Sequence, residues 1–174
     1  MEKVKLLVFD VDGVLTDGKL YYGSDEAEYK TFHTKDGLGI NLAHHVGIKT
    51  AIITGRKSNA VKKRVDELKI NAFYQGVHDK VSVLQELIND FEINLEHVCY
   101  MGDDLNDLPV MQLVGLPAAP QNAVPLVKNF AKFVTNAHGG EGAVRELIDY
   151  ILTNNYDYES IIAEYFDGKI TFTQ

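Results

Sequence analysis

Short apolar runs rich in β-branched residues alternate along the chain with stretches whose apolar residues recur at helical spacing. That alternation predicts an α/β fold, a parallel sheet with helices on both faces. Residues 4–11 read as a buried first strand. Leu20-Tyr21-Tyr22 and the aromatic stretch from Tyr29 to Phe32 flank the polar turn Gly23-Ser24-Asp25, so a small β-hairpin is expected after that strand, at about residues 19–34. A helix over 37–46 carries Leu38, Leu42 and Val46 on one face, and 48–54 is a second core strand. Ser58 is placed to cap a helix bearing Val61, Val65 and Leu68, and Asp79 to cap one bearing Val81, Leu84, Leu87, Ile88 and Phe91. Further strands are expected over 72–74, 98–101, 115–119 and 133–135, with helices near 107–113 and 124–130. Gly139-Gly140-Glu141-Gly142 opens a C-terminal helix with Val144, Leu147, Ile148 and Ile151 on one side.

The chain of 174 residues accommodates one domain, expected over 1–152, followed by a tail over 153–174. In that tail Ile161, Ile162, Tyr165 and Phe166 form an amphipathic patch with no evident place in a closed core, which predicts contact with a neighbouring subunit. The composition, 45% hydrophobic and 24% charged, is that of a globular protein and argues against disorder. No apolar run has the length of a membrane span. Asp10 and Asp12 cut short the apolar run at the N-terminus, so no signal peptide is expected and the cytoplasm is the default location. The single cysteine, Cys99, excludes an internal disulfide framework and, inside a buried strand, reads as a small hydrophobe. A net charge of −8 disfavours nucleic acid or an anionic membrane as partner. If such a chain binds an anion, it must concentrate positive charge locally, through a metal ion and a few placed cations.

Asp10 and Asp12 close the first strand. At spacing two on an extended backbone, both carboxylates face the crevice beyond the strand's carboxyl end, where open parallel sheets bind ligands. Carboxylates this close repel, so a cation or a shared proton must stabilise them. Asp103, at the end of another core strand, adds a third hard oxygen donor, and such a set suits Mg²⁺. Taken alone, Asp-x-Asp before glycine is equally an ordinary polar transition from strand to loop.

The surrounding motifs remove that ambiguity. The run Asp10-Val11-Asp12-Gly13-Val14-Leu15-Thr16-Asp17-Gly18 resembles the first signature of the haloacid dehalogenase superfamily. Thr54 in Ile52-Ile53-Thr54-Gly55-Arg56, Lys80 at a helix start, and Gly102-Asp103-Asp104-Leu105-Asn106-Asp107 follow in the superfamily's order. The resemblance implies a Rossmann-like sheet and a Mg²⁺-dependent phosphatase. It makes Asp10 the nucleophile that forms an aspartyl-phosphate and Asp12 the general acid and base. The metal would be held by the Asp10 and Asp103 carboxylates and the Asp12 backbone carbonyl. Thr54 and the Gly55 N–H would hold phosphoryl oxygens, and Lys80 would neutralise charge there. Asp107 would orient Lys80 or a water of the metal, and Asp104 would stand behind the metal-binding carboxylates.

Neither gap between these motifs has room for a cap domain, which leaves only the hairpin. Lys35-Asp36-Gly37-Leu38-Gly39-Ile40, Tyr74-Gln75-Gly76 and Gly139-Gly140-Glu141-Gly142-Ala143-Val144-Arg145-Glu146 further resemble the capless, tetrameric branch that acts on sugar-acid phosphates. In that branch hairpins meet in the tetramer and a neighbour's C-terminal segment reaches the site. Members acting on nine-carbon acids tend to carry an acidic residue where this chain has Arg56. Arg56 therefore implies an eight-carbon substrate, its guanidinium meeting a carboxylate or phosphate oxygen. Glu141 departs from members that carry a basic residue there. A nine-carbon sugar-acid 9-phosphate is the alternative substrate. A catalytically silent binding module is the alternative from another class, although such proteins commonly lose the nucleophile or metal aspartate that this chain keeps.

Overall fold

The first strand, β1 (Leu6–Phe9), is buried at every position because helices cover it on both sides. Its alternate residues feed two separate cores, Leu7 and Phe9 into one and Leu6 and Val8 into the other. The computed structural model describes residues 2–24 and 27–168. After β1 come the short strands β2 (Tyr21–Tyr22) and β3 (Glu28–Tyr29), then α1 (Thr34–His45), β4 (Lys49–Thr54), α2 (Asn59–Leu68) and β5 (Ala72–Gln75). The second half runs α3 (Lys80–Asp90), β6 (Val98–Met101), α4 (Leu108–Met111), β7 (Leu116–Ala119), α5 (Pro125–Phe130), β8 (Phe133–Val134), α6 (Ala143–Asn155) and α7 (Tyr158–Phe166).

Among the described residues, six strands form one parallel sheet in the order β5-β4-β1-β6-β7-β8, and β2 pairs antiparallel with β3 as the hairpin. The chain builds outward from β1 through β4 to β5, then returns to the other side of β1 at β6. This reversal opens a crevice at the carboxyl ends of β1 and β6. Apolar residues of α1, α2 and α6 cover one face and those of α3, α4 and α5 the other. No cap domain covers the crevice among the described residues.

Several local expectations shift. Helix α1 begins at Thr34 rather than Gly37, because Nδ1 of His33 accepts a hydrogen bond from the Lys35 N–H and caps it. Leu42 is buried as expected, together with Ile40 and Ala43, while Leu38 and Val46 are only half-buried. Gly39 lies on the buried face because α6 comes so close. A Cβ there would stand 3.0 Å from Arg145 Cδ and 3.3 Å from Ile148 Cδ1. Ser58 occupies the N-cap position of α2 without a side-chain capping bond, whereas Asp79 caps α3 by accepting from the Val81 and Ser82 N–H groups. The tail is partly absorbed: Ile161 is buried in the core beside α1 and α6, and Glu164 meets His45 at 2.6 Å. Phe166, by contrast, remains 80% exposed. No helix among the described residues is long and apolar enough to cross a membrane.

Candidate active site

The backbone places Asp10 one residue beyond β1, where its N–H donates to Met101 O of β6 at 3.0 Å. The side chain is almost wholly buried. Its Oδ1 accepts from the Val11 N–H at 2.7 Å, and its Oδ2 meets Lys80 Nζ at 3.0 Å. Burial, reinforced by Asp107, raises the Asp10 carboxyl to about 6 against the opposing pull of Lys80.

Lys80 opens α3 and is itself buried. Its ammonium donates to Asp107 Oδ1 at 2.7 Å. The Asp107 carboxylate, fully buried, also accepts from Tyr100 OH at 2.6 Å and from the Asp103 and Asp104 N–H groups at 2.9 and 3.3 Å. This carboxylate thus fixes Lys80 on one side and the turn after β6 on the other. Asp104 is exposed, and its Oδ1 accepts from the Leu105 N–H at 2.7 Å as the N-cap of a short 3-10 helix over Leu105–Asp107.

Asp103 is held differently. Nothing among the described residues donates a hydrogen bond to its carboxylate, and burial with Asp107, Asp10 and Asp104 nearby raises it to about 7. Gly13 makes room for it, with φ at +89° and no side chain; a Cβ there would fall 2.0 Å from Asp103 Oδ2. Oxygen atoms of Asp10, Asp103 and Asp107 lie within 4.8 Å of one another. Lys80 is the one cation shared by Asp10 and Asp107, and Asp103 has none beside it, so the three carboxylates outnumber the positive charge they meet. Their hard, anionic oxygens fit a divalent cation such as Mg²⁺.

Asp12, two residues on, turns toward the hairpin. Its Oδ1 is paired with Lys30 Nζ, and its Oδ2 lies 3.8 Å from Arg56 Nε. Arg56 follows Thr54, the buried last residue of β4, and Gly55; its Nη2 donates to Glu28 Oε1 at 2.9 Å and to Tyr22 OH at 3.1 Å. Asp10, Asp12, Thr54, Gly55, Arg56 and Asp103 line one cavity of about 240 Å³, with Asp104 at its edge. The expected residues therefore converge on this cavity, apart from Lys80 and Asp107, which do not line it and meet Asp10 from within the fold through Lys80.

Three residues escaped the sequence reading. Glu28 and Tyr29 form β3 and Lys30 follows in the same extended alternation, so Glu28 and Lys30 turn inward while Tyr29 turns out. That period-two pattern of charge was the available signal. Tyr100 read as an apolar strand residue, and nothing local marks its hydroxyl as a partner of Asp107.

Residues 73–148 match the haloacid dehalogenase-like hydrolase family. The 3-deoxy-D-manno-octulosonate 8-phosphate phosphatase KdsC of Escherichia coli K12 is 46% identical over 151 residues, which is 87% of this chain and 80% of that protein. The phosphatase of that name from Yersinia pestis superposes with a TM-score of 0.86 at 43% identity, over 88% of this chain and 83% of its own. The Moraxella catarrhalis phosphatase, solved in complex with magnesium ion, phosphate ion and KDO, gives a TM-score of 0.91 at 38% identity over 94% of each chain. The protein belongs to the haloacid dehalogenase-like hydrolases, in the family of the 3-deoxy-D-manno-octulosonate 8-phosphate phosphatases.

Proposed function

We propose that the protein hydrolyses 3-deoxy-D-manno-octulosonate 8-phosphate to the free sugar acid and inorganic phosphate, a step in making lipopolysaccharide precursors. The observation that carries this reading is the single cavity that joins Asp10, Asp12 and Asp103 to Arg56 at its rim, in a chain 46% identical to the Escherichia coli phosphatase.

In this reading the Asp10 carboxylate bonds to phosphorus while the bond from phosphorus to the sugar oxygen breaks. The departing oxygen takes a proton from Asp12. Asp12 then receives a proton from water as the water oxygen bonds to phosphorus, and the acyl phosphate bond at Asp10 breaks. Thr54 and the Gly55 N–H hold phosphoryl oxygens, and Lys80 offsets the charge gathering on Asp10 and the phosphate. Held by the Asp10 and Asp103 carboxylates with the Asp12 carbonyl, Mg²⁺ supplies the positive charge that lets an anionic nucleophile meet an anionic phosphate. Asp107 keeps Lys80 in place, and Asp104 caps the turn that carries Asp103. Arg56 presents its guanidinium to the substrate's carboxylate.

On this proposal the enzyme works in the cytoplasm as a homotetramer. The exposed hairpin residues Leu20, Tyr21, Tyr22 and Tyr29 support assembly, as does exposed Phe166. The catalytic domain is taken as 1–152, with the tail over 153–174 reaching a neighbouring subunit.

Phosphate release should be measured on eight-carbon and nine-carbon sugar-acid phosphates with Mg²⁺, with EDTA, and for Asp10→Asn. Release that persists in EDTA or in Asp10→Asn would defeat the mechanism. A nine-carbon preference would transfer the substrate assignment to the 9-phosphate. Arg56→Gln, neutral because Glu28 and Asp12 already face that position, should raise KM for the eight-carbon ester.

A further inference from the structure

Four charged side chains close a ring at the rim of the cavity. Lys30 pairs with Asp12 Oδ1 and lies 3.7 Å from Glu28 Oε1; Arg56 Nη2 lies 2.9 Å from that same Glu28 oxygen, and Arg56 Nε lies 3.8 Å from Asp12 Oδ2. Positive and negative charges alternate around the ring, and two of its members come from β3 or the residue after it. The Lys30 side chain is only 1% exposed. A lysine buried to that degree on a small hairpin surrenders hydration and rotamer freedom, and an apolar residue would serve packing as well or better. Burial alone does not account for a cation at this position.

We infer that Lys30 is a positioning residue for the proton transfer to the leaving group. This rests on Asp12 being the general acid and base, as proposed above. A carboxyl group turns readily about its terminal torsion, which has a broad, two-fold profile. With Oδ1 pinned by Lys30, Oδ2 is the oxygen left on the cavity side, beside Arg56. Lys30 thereby leaves Oδ2 as the Asp12 oxygen free to exchange a proton with the leaving group. As the phosphorus–oxygen bond breaks, its electron pair goes to the sugar oxygen, which takes the proton from Oδ2. The new carboxylate is left beside the Lys30 ammonium. Lys30 thus meets more negative charge after the transfer than before it, the condition for an interaction that accelerates the step. Glu28 in turn holds both Lys30 and Arg56. Burial works against its ionisation, but its neighbours, Arg56 and Lys30 among them, keep Glu28 below its ordinary value. The hairpin is therefore part of the catalytic apparatus of its own subunit.

Leaving-group dependence tests this. A sugar alkoxide needs the proton to depart, whereas p-nitrophenolate leaves as a stable anion. With Mg²⁺ present, kcat and KM should be measured on the sugar-acid phosphate and on p-nitrophenyl phosphate for wild type, Lys30→Met, Lys30→Gln and Lys30→Arg. Both neutral variants should lower kcat on the sugar ester about 10- to 100-fold, a share of the usual worth of a general acid. The ratio of sugar-ester to aryl-ester kcat should fall at least about tenfold, with KM for the sugar ester little moved, and Lys30→Arg should recover much of the loss. In an Asp12→Asn background, Lys30→Met should add almost nothing. Equal losses on both esters, or a raised KM with kcat kept, would overturn the inference while leaving the phosphatase reading intact. Wild-type protein that releases phosphate from neither ester would overturn both. Should Lys30→Met fail to fold, Lys30→Gln keeps a polar side chain of similar reach and decides the question.

Discussion

The hydroxyl of Tyr100 lies 2.6 Å from the carboxylate of Asp107, deep under the sheet's carboxyl edge. That same oxygen of Asp107 accepts from Lys80, whose ammonium also stands 3.0 Å from Asp10. Lys80 also donates to the Tyr100 hydroxyl at 3.3 Å, so Tyr100, Asp107 and Lys80 form a buried triangle that leads to Asp10. Burial together with Asp107 and Asp10 pushes the Tyr100 phenol well above its usual range, so it remains a donor throughout.

Tyr100→Phe removes that donor while keeping the ring. A hydrogen bond to a charged group contributes about 1.5–3 kcal/mol, so the variant should be less stable by about that amount, read as a lower denaturation midpoint. Lys80 should then lean more on Asp107 and less on Asp10, with kcat lower by about tenfold for each 1.4 kcal/mol lost at the transition state. Asp107→Asn leaves Lys80 facing a neutral partner in a buried site and should cost more in both measurements. Denaturation curves and steady-state rates check the order; a Tyr100→Phe protein with wild-type stability and kcat contradicts it.

Metal affinity should depend on pH in a direction the carboxyl groups define. In the metal-free protein Asp103 is raised to about 7 and Asp10 to about 6. Below pH ~7 a proton increasingly occupies Asp103, and below ~6 a second occupies Asp10; each must leave before a cation is held. Mg²⁺ binding should therefore weaken steadily on acidification and release protons near pH 6. Calorimetry in two buffers of different ionisation enthalpy reads that release directly. A Kd constant from about pH 5.5 to 8 would show that these carboxyl groups are not the ligands.

Gly13→Ala tests the room made for Asp103. Its Cβ would fall 2.0 Å from Oδ2, and φ at +89° is a conformation only glycine takes readily. Either the loop or the carboxylate must move. Mg²⁺ affinity should fall about 10- to 100-fold, the range seen when groups supporting a ligand are disturbed, and the melting temperature should also fall. Unchanged affinity would mean that Asp103 has another route to the cation.

The sheet and the motif placements were legible because they are local. Strands announced themselves as apolar runs, and Asp10, Thr54 and Asp103 each sit at or just beyond the carboxyl end of one. Periodicity within a single helix misjudged α1, whose buried face is chosen by α6 through Gly39, a contact between distant segments. It also misjudged Ile161, which is buried only because α7 folds back beside α1. Lys30 escaped because its partner lies 18 residues away across a turn, and an isolated lysine in sequence reads as solvated. A motif marks the candidate reacting groups in the sequence; the residues that aim those groups are found only once the chain is folded.

Asp36 offers a stability prediction independent of the metal. It projects from α1, is 2% exposed, and its Oδ1 accepts from the Arg145 N–H near the start of α6 at 2.8 Å. Its Oδ2 is buried without a hydrogen-bond partner. Burial raises the carboxyl to about 6, against the Arg145 N–H, His33, Arg64 and the Arg145 side chain. A carboxyl raised in the folded state stabilises the fold while protonated, and that stability is lost as pH rises through its folded value. Relative to an ordinary aspartate at 3.8, the shift implies about 2 kcal/mol lost between about pH 4.5 and 7.5. Asp36→Asn keeps the oxygen that accepts from Arg145 and carries no charge at either pH. Its stability should therefore fall less over that interval, by about 2 kcal/mol, leaving the melting temperature several degrees less sensitive to pH. Urea titrations of both proteins at the two pH values, with EDTA throughout, isolate the effect because Asp10 and Asp103 contribute equally to each. Parallel pH profiles would show that Asp36 ionises in the folded protein as freely as in water.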